Sequence, residues 1–161
     1  MQKEFHPRVL VGDYRGIANP LGDAVAIEKF EVPVKNALED LSQQEFFYSA
    51  SLVNIDVDIN SPLGWGMRPE ATGFFGGGRA YEPSDWGAAS DRVNVVANYT
   101  ADGRVLASGL MVGDEHMAGK GAVLEVSMGE GRIVLYGFRV QHRAQTRGTF
   151  KLLFNALYAR R

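Results

Sequence analysis

The segment "GKGAVLEVSMGEGRIVLYGF", residues 119–138, constrains this chain more than any other. Two apolar runs flank "SMGEG", a pattern that folds as an antiparallel hairpin around a glycine-rich turn. The second run is apolar on both faces, with Ile133, Leu135 and Gly137 on one and Val134, Tyr136 and Phe138 on the other. A strand with no wet face belongs in the centre of a sheet, covered on both sides. A cover follows directly. Phe150, Leu153, Phe154 and Leu157 recur at helical spacing and predict a C-terminal helix near 147–159 whose stripe lies on that sheet. Asn155 falls between the stripe positions, within reach of a neighbouring loop backbone.

Upstream, the period is again two. Val53, Ile55, Val57 and Ile59 alternate with Asn54, Asp56 and Asp58, the pattern of a half-buried strand. "NSPLGWGMRPE" reads as a loop, "ATGFFGGGRAYEP" as an aromatic strand broken by three glycines, and "DRVNVVANY" and "VLASGLMVG" as strands around the turn "TADGR". Nineteen glycines fit short strands joined by tight turns. Before residue 51 the signals differ. A short strand is expected at 8–14 and a turn at "ANPLGD". Asp23 is placed to cap a helix over "AVAIEKF", and Pro33 suits the first turn of a second. Val34, Ala37, Leu38 and Leu41 give that second helix an apolar face, so helices are expected near 24–41. A length of 161 residues suits one domain, an α/β fold with a mixed, strand-rich sheet.

The bulk numbers narrow the function classes. With 17 basic and 19 acidic residues the net charge is −2, so nothing in the balance points to nucleic acid. No apolar run approaches membrane-spanning length, and the start, "MQKEFHPRVLVGDYRG", lacks a signal-peptide core. Cysteine is absent, which removes disulfides, thiolate metal sites and cysteine nucleophiles.

Recognisable catalytic patterns fail on inspection. The histidines at 6, 116 and 142 form no helical metal pair, and no metal or cofactor is expected. "DVDINSPLGWGM" opens like a calcium loop, but Ser61 stands where glycine is needed and Met67 where the bidentate glutamate belongs. "GDEHMAGKG" has one residue too many for a phosphate loop and Gly121 in place of the magnesium-binding hydroxyl. "GGGRA" offers amides and Arg79 but no further anion signal. No Gly-x-Ser-x-Gly elbow occurs, and the carboxylates Asp13, Asp23, Asp56, Asp58, Asp114 and Glu115 have no sequence-defined partners.

One polar knot remains, between the hairpin and the last helix: Arg139, Gln141, His142, Arg143 and Gln145, with Thr146 and Thr149 at the helix start. Two readings stand. The knot is a structural joint, with Arg139 its most buried member and loop carbonyls or Asp114 and Glu115 as acceptors. Alternatively Arg139, His142 and Arg143 bind a small anion beside a helix N-terminus, at the end of a strand where ligands collect in open α/β sheets.

The hairpin-to-helix segment, together with "VPVKNALEDLSQQEFFYSASLVNIDVD", "SPLGWGM" and "LASGLMVGDEHMAGK", resembles the C-terminal end of large bacterial zinc carboxypeptidases, in consistent order over about 17–159. In that family a class I glutamine-amidotransferase-like domain of flavodoxin-like type follows the peptidase domain. The resemblance implies a partial version of that fold, without its N-terminal βα units, and a non-catalytic accessory role, structural or ligand-binding. The family's zinc ligands lie upstream and match nothing here, and the fold's usual cysteine nucleophile is missing. An upstream peptidase domain in a longer parent and a second copy covering the exposed sheet edge are the partners it implies. The family is secreted or periplasmic. The competing expectations are a stand-alone small-anion module and a small enzyme with a site near Arg139 and His142.

Overall fold

The computed structural model describes residues 34–83, 91–102 and 104–159, all within one compact unit spanning 33–161. The strand expected at 8–14, the turn at "ANPLGD", the Asp23 cap and the 24–33 part of the expected helices lie outside the described residues.

Among the described residues eight strands form one sheet: β1 (Val34–Asn36), β2 (Phe47–Val57), β3 (Glu70–Phe75), β4 (Tyr81–Pro83), β5 (Val93–Tyr99), β6 (Leu106–Val112), β7 (Gly121–Met128) and β8 (Gly131–Tyr136). Among the described residues there is one α-helix, α1 (Phe150–Tyr158), which follows a 3-10 turn at Arg147–Thr149, within the expected 147–159. The described residues are therefore strand-rich with a C-terminal helix, as read from the sequence. Their sheet is uniformly antiparallel rather than mixed. The paired strands that follow one another directly, β2–β3 and β7–β8, are joined by a loop and a tight turn, whereas a parallel pair would need a long crossover.

β2 is the longest strand and carries the predicted alternation. Val53, Ile55 and Val57 are buried while Asp56 faces solvent, where its Oδ1 accepts the Thr100 hydroxyl at 3.1 Å. The alternation stops at Val57. Asp58 turns the chain, its side chain accepting the Asn60 N–H at 3.0 Å and its carbonyl the Ser61 N–H at 3.2 Å. Ile59 is thereby left outside the strand and exposed.

Residues 34–41 are not helical. Val34–Asn36 pair with Tyr81–Pro83, and the chain then turns. The Asn36 amide oxygen accepts from Leu38 and Ala80, and Ala37 donates to the Ala80 carbonyl at 2.8 Å. Leu38 is buried all the same. An apolar face at helical spacing is satisfied here by a strand and a turn, because tertiary pairing outweighs a weak local propensity.

The hairpin forms as expected, with Met128 opposite Gly131 and Val123 opposite Tyr136. The strand flanked on both sides is the first of the two, not the second. β7 lies between β5 and β8, and its Ala122, Val123, Leu124 and Val126 are buried. β8 is half-buried, and beyond it the chain bonds to a different strand: the Arg139 N–H donates to the Phe74 carbonyl of β3 at 2.9 Å. The path β3–β2–β5–β7–β8 thus returns to β3 through one bridge and closes as a small barrel. Closure removes most of the open edge that such a sheet would expose.

α1 covers β8, but with another face than the expected stripe. Leu152 is 1% exposed, Leu153 and Ala156 pack partly on the core, and Phe154 and Leu157 point outward at 51% and 52%. Polar contacts fix the orientation. The Tyr136 hydroxyl donates to the Leu152 carbonyl at 3.0 Å. Arg132, ion-paired to Glu125 at 3.1 Å, donates to the free carbonyls of Ala156 and Ala159 at the helix end. Asn155 reaches the loop backbone as anticipated, donating to Leu63 O and Trp65 O, both at 2.9 Å. Leu152→Ala should destabilise the fold by about 2–5 kcal/mol, whereas Leu157→Ala should stay within about 0.5 kcal/mol. Urea denaturation midpoints of the two variants check this, and equal midpoints would refute the assigned helix face.

Candidate functional site

The polar knot between β8 and α1 is held by hydroxyls, not by arginine. Thr149 is fully buried, and its Oγ1 donates to the Val140 carbonyl at 2.8 Å or the Thr146 carbonyl at 2.8 Å. Its own N–H also reaches the Thr146 carbonyl, at 3.2 Å. Thr146 is buried beside it, with the two hydroxyls 3.3 Å apart. A neutral hydroxyl gives up little hydration when buried, while a guanidinium gives up a great deal. The joint therefore buries threonines and leaves its cations outside.

Arg139, expected to be the most buried member, is exposed. Its backbone makes the bridge to β3, and its side chain turns back so that one guanidinium nitrogen lies 3.4 Å from His142 Nδ1. The His142 ring lies flat on Phe74, with centroids 4.0 Å apart and planes within 2°. Gln141, Arg143 and Gln145 are exposed. Arg143 and Ala144 hold φ of 46° and 57°, a left-handed pair that turns the chain between barrel and helix, closed by the Gln145 N–H on the His142 carbonyl at 2.9 Å. Asp114 does not serve the knot: its Oδ2 accepts the Leu106 N–H at 3.1 Å, at the start of β6. Arg139 and His142 are brought together, and Thr146 anchors the loop. Gln141 and Arg143 are exposed and are not drawn into that contact.

Two features were hidden from sequence reasoning. The first is Tyr99, at the end of β5 and fully buried, whose hydroxyl lies 2.8 Å from both the Arg79 and the Gly137 carbonyls. Burial pushes this phenol well above its ordinary pKa, with the neighbouring Tyr81 adding to the effect. It therefore stays protonated and keeps donating. The signal available was a lone tyrosine closing an apolar run, since a buried phenol needs an acceptor. The second is an open cleft of about 390 Å³ lined by Lys35, Asn36, Asp40, Glu82, His116 and Lys120, drawn from separate elements. Glu82 sits between Lys120 and Lys35, the latter at 3.3 Å, so the carboxylate between the cations already compensates them. Nearby, the Ser42 hydroxyl and amide hold the Glu45 carboxyl below its ordinary range.

Among the described residues no three His, Asp or Glu side chains gather as a metal site, and no helix is long and apolar enough to cross a membrane. Comparison of the chain with protein-family models, with curated proteins and with solved structures finds no match.

Thr149→Val, which keeps shape and removes the hydroxyl, should lower stability by about 1–3 kcal/mol through the unsatisfied buried carbonyls. Arg139→Ala should change it by no more than about 0.5 kcal/mol, the usual scale for an exposed side chain. Thermal melts of both variants decide between a joint built on threonine and one built on arginine.

Proposed function

We propose that the chain is a non-catalytic accessory domain, structural or ligand-binding, of the type that follows the peptidase in large bacterial zinc carboxypeptidases. The observation that carries the reading is the use made of the polar knot. Its buried Thr149 hydroxyl is engaged with the Val140 and Thr146 carbonyls and its histidine is stacked on Phe74, so the one reactive-looking cluster in the sequence closes the fold. The assignment to a glutamine-amidotransferase-like fold belongs to the same proposal. It rests on the ordered resemblance over about 17–159, and the uniformly antiparallel strands described above are what it has to accommodate. An upstream peptidase domain is the partner this reading implies. The test is a carboxypeptidase assay in added zinc, with metal analysis of the purified chain. The reading expects neither turnover nor a stoichiometric ion, and one tightly held zinc per chain with turnover would overturn it.

Self-association is the second element of the proposal, through β6. Among the described residues β6 pairs with β2 alone, and its sequence "LASGLMV" carries no charge or proline to guard the edge. Leu110 and Val112 are exposed on one face, with Phe47 directly opposite Val112. An uncharged edge meets its own copy without repulsion, and a two-fold pair is the simplest closed assembly. Light scattering at micromolar concentration should give a dimer mass that falls to the monomer in Leu110→Lys. A monomeric parent would remove this element and leave the accessory reading standing.

A further inference from the structure

The C-terminal segment that carries α1 differs in charge from the rest of the sequence. Residues 131–161 hold seven of the 17 basic residues and none of the 19 acidic ones, which leaves ten basic against nineteen acidic, net −9, in residues 1–130. Arg147 and Lys151 are exposed and enter no ion pair among the described residues. On the helix Lys151 aligns with Phe154 and Tyr158 at spacings of three and four, one stripe of the surface, and Arg147 lies in the 3-10 turn that leads into it. Phe154, Leu157 and Tyr158 are 51%, 52% and 81% exposed.

The stripe is extended by Trp65, 74% exposed on the turn that α1 holds in place. Asn155 donates to the Leu63 and Trp65 carbonyls, and the Lys151 ammonium to the Gly66 carbonyl. Leu63 anchors the same turn in the core. Gly64 allows its close approach, since a Cβ there would lie 2.1 Å from the Asp58 carbonyl oxygen. The indole thus stands in water on a fixed backbone. Scattered exposed apolar residues are ordinary, but a tryptophan, a tyrosine, a phenylalanine and a leucine on one rigid face with two cations outside any ion pair among the described residues have the composition of a binding hot spot. Rigidity lowers the ordering cost of using it.

We infer that this face, centred on Trp65, Phe154, Leu157 and Tyr158 and rimmed by Arg147 and Lys151, docks a protein surface with an apolar centre and an acidic rim. Charge selects the occupant. A second copy joined by a two-fold axis through this face would bring like-charged Arg147 and Lys151 rims together, an unfavourable match. A nucleic acid would answer the cations, but it would leave aliphatic Leu157 without a counterpart, and a chain of net charge −2 has no basic excess to hold it. The inference extends the accessory reading by giving the chemistry of its partner. A peptidase assay leaves it untouched, so the two fail separately.

The test uses a phage-displayed library of random peptides panned on the immobilised full chain, with a 20-residue oligothymidylate as the competing probe. The expected result is enrichment of peptides that combine aromatic or aliphatic centres with Asp and Glu. A synthetic copy of an enriched peptide should lose about tenfold or more in affinity with Trp65→Ala, the scale of a hot-spot truncation. Lys151→Glu should weaken it further as salt is lowered, where like-charge repulsion is least screened. Both variants should keep a folded, cooperative melt; because Lys151 also braces the turn, Arg147→Glu serves as the second rim variant. Absence of such enrichment, peptides whose binding survives Trp65→Ala, or tighter binding of the oligothymidylate at physiological salt would each overturn the inference.

Discussion

The fold turns on a single phenol. Tyr99 is sealed in the barrel with its hydroxyl facing the Arg79 and Gly137 carbonyls, and those two residues are themselves joined by the Arg79 N–H on the Gly137 carbonyl at 2.7 Å. At this point the chain leaving β8 meets the chain leaving β3, and the sheet becomes a barrel. The approach is close enough to demand glycine on both sides. A Cβ on Gly137 would lie 2.2 Å from the Arg79 carbonyl oxygen, and one on Gly78 would lie 1.9 Å from that of Gly137. Three backbone segments converge there, and an unpaired buried carbonyl at that depth would be expensive. The rest follows in sequence: β8 ends where the closure requires, the bridge to Phe74 forms, and the threonine joint aims α1 back over Tyr136.

The same economy of charge runs through the interior. Deep positions use neutral donors, the hydroxyls of Tyr99, Thr149 and Ser51, the last donating to the Leu110 carbonyl at 2.8 Å. Arg132 is the exception, with 16% of its side chain exposed, and it is fully engaged: Glu125 on one side, two helix-end carbonyls on the other. A guanidinium with that many acceptors recovers its lost hydration, and the position at a helix C-terminus adds the favourable end of the backbone dipoles. Arg139, Arg143 and Arg147 have no such set of acceptors and stay in water.

That contrast explains what the sequence made legible. Where one physical demand acts alone, the pattern is plain. The alternation of Val53, Ile55 and Val57, the turn in the hairpin, and the reach of Asn155 are local consequences of period and spacing. Where two demands compete, the pattern misleads. The helix is apolar nearly all round, with Phe150, Leu152, Leu153, Phe154 and Leu157 in eight residues, so periodicity cannot choose its buried face. Tyr136 and Arg132 choose it, by grasping carbonyls of particular residues from the neighbouring strand. Residues 34–41 carry a helical stripe but sit beside an open strand, and pairing wins. In the knot, sequence reasoning assumed that the most polar residues would do the holding. Burial energetics favour the least polar group able to donate, which is why Thr149 rather than Arg139 sits at the centre.

A helix that is apolar all round is ordinarily a buried one. α1 turns only one side to the barrel, and the side left over is not worn down to lysine and glutamate as a solvent face would be. It keeps Phe154, Leu157 and Tyr158, and the turn bearing Trp65 is braced against it by Asn155 and Lys151 rather than left loose. Bracing contributes to stability through the backbone contacts alone and gives no reason for an indole at that position. The barrel's core is complete without these four side chains, since Leu152, Leu63 and Phe138 already seal it from that direction. The outer face of α1 is therefore surplus to folding. The exposed cations Arg147 and Lys151 beside it set the sign of what it can meet.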